Sequence, residues 1–174
     1  MIDSRYPIGP FVPPPAYSSE VRGALIGHIA EAPAKLRKAI EGLTESQLLT
    51  PYREGGWTVA QVVHHVPDSH MNAYIRFKLA TTEDAPTIKA YDEARWAELP
   101  DASVTDLSAS LALLESLHKR WVVFLRWLTS EQFDRTLQHP ELGTVSLNRY
   151  VALYAWHGRH HVAHITTLRE RMGW

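Results

Sequence analysis

Residues 154–165 read YAWHGRHHVAHI and place His157, His160, His161 and His164 within eight positions. Helical phase gives this crowding a meaning. At about 100° per residue, positions four apart fall about 40° apart on a helix surface, so the rings of His157 and His161 can converge on one ion. His160 and His164 repeat the spacing, and spacing alone does not choose between the two pairs. A lone His-x-x-x-His also suits an ordinary amphipathic helix, because a metal site needs at least three protein ligands. The stretch therefore predicts a helix over about residues 147–171, stopped by Gly173, and sends the search for a third imidazole elsewhere.

Three more segments carry helical periodicity. Over residues 18–42 the apolar positions Val21, Leu25, Ile29, Ala32, Leu36 and Ile40 share one face, with Pro33 a point of bending. Over residues 58–82, after Gly55 and Gly56, the run TVAQ offers a capping box between Thr58 and Gln61. Over residues 105–128, Leu107, Leu111, Leu114, Leu117, Trp121 and Leu125 recur at intervals of three or four. The connection containing APTIKAYDEARWAELPD reads as a loop with a short helix, and residues 131–146 as a further connection; no period-two strand is evident. Five prolines between Pro7 and Pro15 forbid a regular helix, so residues 1–17 read as an extended N-terminal arm. The expected fold is all-α: one four-helix bundle domain over residues 1–174, with facing side chains able to build a site in its core.

Composition narrows the chemistry. The 174 residues are 45% hydrophobic and 21% charged, with a net charge of −1, and show no basic block to mark a nucleic-acid or anionic-membrane surface. No apolar run is long enough to span a bilayer, and the N-terminus does not read as a signal segment. A soluble, cytoplasmic protein with a small-molecule partner is the expectation. The absence of cysteine leaves histidine and carboxylates as the available metal ligands, and excludes disulfides and a cysteine nucleophile.

The second helix offers His64, His65 and His70. Its apolar face is defined by Val62, Val66, Ala73 and Phe77; His65 lies at the edge of that face, whereas His64 projects nearly opposite, towards water. The line through His65 also holds Thr58, Gln61, Ser69, Asn72 and Arg76, a polar stripe compatible with either a wet pocket or solvated surface.

Residues 56–68, GWTVAQVVHHVPD, resemble the Trp-(Ser/Thr)-…-His-(Leu/Val)-x-Asp signature on the second helix of the DinB-like superfamily of four-helix-bundle metalloproteins. HGRHHVAHI is similar to that family's C-terminal motif, in which the first and fifth positions are ligands. YPIGPF, TPYREGGWT, YDEARWAEL, LALLESLHKRW and HITTLRERMGW extend the resemblance, to its YfiT branch, over nearly the whole chain. The resemblance implies His65, His157 and His161 as ligands of one divalent transition-metal ion per chain, zinc or nickel being the leading choices, and a homodimer. One departure is Pro67, where relatives commonly carry a helix former; it deprives the Val63 carbonyl of its helical donor and predicts a kink beside His65.

The remaining candidates have supporting roles. His118 lies within the Leu114, Trp121 and Leu125 stripe and reads as a core histidine with a hydrogen-bond partner, placed behind the ligands; His160, His164, Asn72 and Arg76 are candidates for lining the pocket or supporting the ligands. His28, His70 and His139 receive no role, and Trp57 and Trp156 read as packing residues next to the ligands.

Three neutral imidazoles leave the full charge on a divalent ion and an open position for water or substrate. Such an ion acidifies water towards neutral pH and deprotonates a coordinated thiol. The resemblance implies, first, an S-transferase that conjugates a low-molecular-weight thiol such as bacillithiol to an electrophile. The alternatives are a metal-dependent hydrolase, although no flanking carboxylate declares itself a general base from its spacing, and a non-enzymatic metal-stabilised bundle that binds small molecules.

Overall fold

In the computed structural model, which describes residues 3–174, the chain forms helices α1 (Ser19–Ile40), α2 (Glu45–Leu48), α3 (Val59–Thr82) and α4 (Glu93–Trp96). A 3₁₀ turn (Pro100–Ala102), α5 (Ser108–Trp127), α6 (Ser130–Asp134), strands β1 (Thr136–His139) and β2 (Gly143–Ser146) and α7 (Leu147–Met172) follow. Met1 and Ile2, part of the expected N-terminal arm and of the expected 1–174 domain, lie outside the described residues. The four long helices correspond to the periodic segments of the sequence. Their ends are chemically marked: the Ser18 hydroxyl accepts the Val21 N–H, Thr58 and Gln61 complete the capping box at α3, and Gly173 takes a left-handed φ of 71° after α7.

Long-helix packing pairs α1 with α5 and α7, and α3 with the same two helices. Helices α1 and α3 are therefore diagonal although consecutive among the long helices, and α3 lies directly against α7. The apolar stripes become two core regions. One gathers Ile29, Phe77, Trp121, Leu125, Tyr150 and Val151; the other gathers Leu36, Val62, Val63, Val66, Leu114 and Ile165. Among the described residues no helix is long and apolar enough to cross a membrane.

Two local expectations are corrected. Residues 136–146 contain an antiparallel hairpin instead of an irregular connection, with Leu137 paired to Val145. Each strand has four residues, of which Leu137 and Val145 alone are buried, too short a pattern to show alternation in the sequence. The hairpin also fixes the α3–α4 connection: the Ile88 N–H donates to the Gln138 carbonyl, and the Gln138 N–H to that of Pro86. Pro67 is accommodated inside a helix that stays continuous from Val59 to Thr82, and His65 still faces α7.

The second correction concerns His64, which is 5% exposed. Its Nδ1 lies 2.7 Å from Ser110 Oγ and its Nε2 2.9 Å from the Val104 carbonyl oxygen. A helical wheel assigns one interior side to a helix, but α5 and the segment leading into it cover the second side of α3. His64→Ala leaves the Val104 carbonyl and Ser110 without this partner, so unfolding free energy should fall by about 1–3 kcal/mol in urea denaturation. A change within about 0.5 kcal/mol, as at an exposed site, would contradict the buried placement.

Candidate metal centre

The α3–α7 contact brings one imidazole of α3 against two of α7. The Nε2 atoms of His65 and His157 are 3.4 Å apart, and the ring centre of His161 lies 4.8 Å from that of His65 and 4.5 Å from that of His157. One ring nitrogen from each of the three residues lies within 4.8 Å of the others. The structure thus brings together the three residues that the family resemblance implied.

Burial sets their charge. It holds His65 down to about 4, with a smaller contribution from His164, and keeps His157 and His161 well below the usual imidazole range, reinforced by their neighbouring histidines. All three rings are neutral at pH 7, the state in which imidazole offers a lone pair to a cation. The convergent nitrogen donor set fits a divalent transition-metal ion.

The triad opens on a cleft of about 310 Å³ lined also by Trp57, Ser69, Tyr91, Glu93, Leu153, Tyr154, Trp156 and His160. Trp57 packs on His65 with ring centres 4.6 Å apart, and Trp156 stacks on His160 at 4.3 Å, so both tryptophans are walls as well as packing residues. Tyr91 and Glu93 are contributions the sequence did not announce. They come from the α3–α4 connection and the start of α4, which the polar stripe of α3 holds in place: Gln61 Nε2 donates to the Ala97 carbonyl and Arg76 to that of Lys89. Burial raises the Tyr91 phenol and keeps it protonated, partly offset by the Ser69 hydroxyl.

The other candidates separate by position. His160 lines the cleft, and burial holds it down to about 4. His164 stands behind His161, their Nδ1 atoms 3.4 Å apart. His118 stands two rings behind the site, its Nε2 2.8 Å from His70 Nδ1. Asn72 and Arg76 do not line the cleft: Asn72 Nδ2 donates to the Asp68 carbonyl, while Arg76 turns to the Tyr150 hydroxyl as well as Lys89. His70, given no role from the sequence, is fully buried with its Nε2 3.0 Å from His157 Nδ1. Its signal was weak because both its partners are remote in sequence.

The larger groove, about 910 Å³ between α1 and α5, is walled by residues such as Ala30, Pro33, Leu111 and Val122. It also carries Arg37, Lys38, Glu41, Glu115, Lys119 and Arg126, with Glu115 paired to Arg37 and Lys119, whereas the cluster of metal-ligating groups found among the described residues lies in the smaller cleft, which is therefore the candidate metal site.

The N-terminal arm lies along α7. The Gly9 carbonyl accepts the Trp156 Nε1–H at 3.2 Å, the Arg5 carbonyl lies 3.2 Å from His164 Nε2, and Tyr6 packs against His160.

Comparison with known proteins agrees with this architecture. The family model of the DinB superfamily matches residues 28–165. A Bacillus subtilis (strain 168) protein bearing the name "Putative metal-dependent hydrolase YfiT" is 52% identical over 174 residues, covering 99% of this chain and 98% of its own. A Bacillus cereus (strain 03BB102) protein named "Putative metal-dependent hydrolase" is 56% identical over the full length of both. The solved structure of Bacillus subtilis YfiT, described as "a probable metal-dependent hydrolase with an unusual four-helix bundle topology", superimposes with a TM-score of 0.95 at 53% identity over 98% of each chain. A second four-helix bundle, TT2238, shares the fold at a TM-score of 0.56 and 18% identity, over 81% of this chain and 94% of its own. With its bundle, its paired α3 and α7 motifs and a family match over most of its length, the chain belongs to the DinB superfamily.

Proposed function

We propose that the protein is a metal-dependent hydrolase of small molecules, with one divalent transition-metal ion per chain, zinc or nickel, held by His65, His157 and His161. The observation that carries this reading is the convergence of three neutral imidazoles in a cleft that also contains a carboxylate, Glu93. When bound, such an ion supplies Lewis acidity, lowering the pKa of a coordinated water towards 7 and polarising a substrate oxygen. The protein supplies the rest. Glu93 is exposed at the cleft and can accept a proton from an attacking water and return it to a leaving group. The protonated Tyr91 phenol and the Ser69 hydroxyl can donate to an oxygen that gains charge, while Trp57, Leu153 and Trp156 provide apolar walls.

Thiol transfer, the first reading of the sequence, would use the same three ligands. Two considerations favour water as the nucleophile. A carboxylate base in the cleft has a use in hydrolysis that a preformed thiolate does not require, and the relatives' names point to hydrolysis. The relatives' names also support metal dependence.

Metal analysis after loading should find about one zinc or nickel ion per chain, as one three-imidazole site requires. His65→Ala, His157→Ala and His161→Ala should each abolish tight binding, whereas His139→Ala should retain it. Failure of the reloaded wild-type protein to bind either metal would remove the basis of the reading.

Ester and amide panels assayed without any thiol should show turnover that chelation abolishes and zinc restores. Glu93→Gln should lower kcat by about 100-fold with metal content unchanged, the scale of a general base. Metal-dependent conjugation of bacillithiol, glutathione, mycothiol, coenzyme A or cysteine to a haloarene, without hydrolysis, would replace this reading by the transferase. Metal binding that raises Tm without turnover in either assay would replace it by a binding bundle.

A further inference from the structure

A neutral imidazole has one N–H and one bare nitrogen, and which nitrogen is bare determines whether a ring can serve as a ligand at a given place. Two chains of hydrogen bonds lead from the metal-facing rings back to main-chain carbonyls, which can only accept.

The first begins at Ile29 on α1. Its carbonyl oxygen is 2.6 Å from His118 Nδ1, so that nitrogen carries the proton. His118 Nε2, 2.8 Å from His70 Nδ1, is then the acceptor, and His70 Nδ1 donates. His70 Nε2 is left bare and accepts, at 3.0 Å, a proton held on His157 Nδ1. This leaves His157 Nε2 without a proton, and that atom faces His65 Nε2. Reversing the chain would require an extra proton and therefore a cationic ring. Among the described residues no carboxylate is hydrogen-bonded to any of the three rings, and His70 is enclosed edge-on by Trp121 and Tyr154.

The second chain begins in the N-terminal arm. The Arg5 carbonyl accepts from His164 Nε2 at 3.2 Å, so His164 Nδ1 is bare. His161 Nδ1, 3.4 Å from it, is the donor, and His161 Nε2 is left for the metal-facing side. This link is longer than those of the first chain.

We propose that His70 and His118 on one side, and His164 with the Arg5 carbonyl on the other, are positioning groups that fix His157 and His161 in the Nδ1–H tautomer, presenting bare Nε2 atoms for metal. The assignment rests on the metal reading only in its final step, since the proton positions exist in the metal-free protein. It also gives the arm a chemical connection to the centre: one of its main-chain carbonyls orients a ring two steps from the ion.

Long-range proton–nitrogen NMR spectra of chelator-treated full-length protein labelled with ¹⁵N-histidine test this directly. His118, His70, His157 and His161 should carry the proton on Nδ1, and His164 on Nε2. A proton on Nε2 of His157 or His161 would overturn the proposal. The same spectra separate it from the functional reading: expected tautomers in a protein that takes up no zinc would preserve the relays and remove the metal, while reversed tautomers in a zinc-binding protein would do the opposite.

Zinc competition titration gives a second measure. His118→Phe should weaken zinc by about 10- to 100-fold, the range for loss of a group that orients a metal ligand. His118→Gln should return most of that loss, because its amide can donate to Ile29 and accept from His70. Wild-type zinc affinity in His118→Phe, or equal losses in the Phe and Gln variants, would overturn the relay as an orienting device. If His118→Phe fails to fold, the wild-type tautomers decide.

Discussion

A buried neutral imidazole must place one proton and one lone pair, and the interior of this bundle is organised around that requirement. His64, His65, His70, His118, His160, His161 and His164 are all buried, with very few buried charges to accompany them. The solution is to end the chains on main-chain oxygen. Val104 faces His64, Ile29 faces His118 and Arg5 faces His164. At the opposite end the Nε2 atoms of His65 and His157 face each other at 3.4 Å. His157 Nε2 is left bare by its relay, so in the metal-free protein His65 Nε2–H can donate to it, and a bound cation would take up both lone pairs in place of that proton.

The fold was legible because helical periodicity is a local property. The stripes of α1, α3, α5 and α7 and the Thr58 capping box are written in short windows of sequence. The ligand set was only half legible in the same way. His157 and His161 have the same spacing as His160 and His164, and what separates the pairs is the rotation of α7 against α3, a tertiary quantity that the family resemblance supplied. His70 was not legible at all. It sits five positions after His65 on the same helix, yet its partners are His118, 48 residues away, and His157, 87 residues away.

His64 and the polar stripe show a different limit. Wheel reasoning divides a helix into inside and outside, whereas α3 is covered on one side by the core, on another by α5, and along a third by the segment between α3 and α5. Gln61 and Arg76, polar and placed as if for solvent or a pocket, instead hold that segment through the carbonyls of Ala97 and Lys89. Their contribution to the site is indirect. By fixing the connection, together with its pairing to β1, they bring Tyr91 and Glu93 to the cleft.

The resulting cleft has an unusual balance of charge for an anion-binding site. Its three candidate ligands are neutral, its one carboxylate is Glu93, and among the described residues lining it there is no lysine or arginine. A bound divalent ion would then be the sole positive charge in the cleft, undiluted by anionic ligands and opposed only by Glu93. Anionic groups on a substrate would have to compete for that ion with water, since no side chain offers them a second contact of opposite charge. Neutral electrophiles meet no such conflict: the aromatic walls accept their apolar parts, and Ser69 and Tyr91 offer hydroxyls to a polarised oxygen. The same electrostatics that make the three histidines good ligands therefore bias the proposed hydrolase towards uncharged esters and amides.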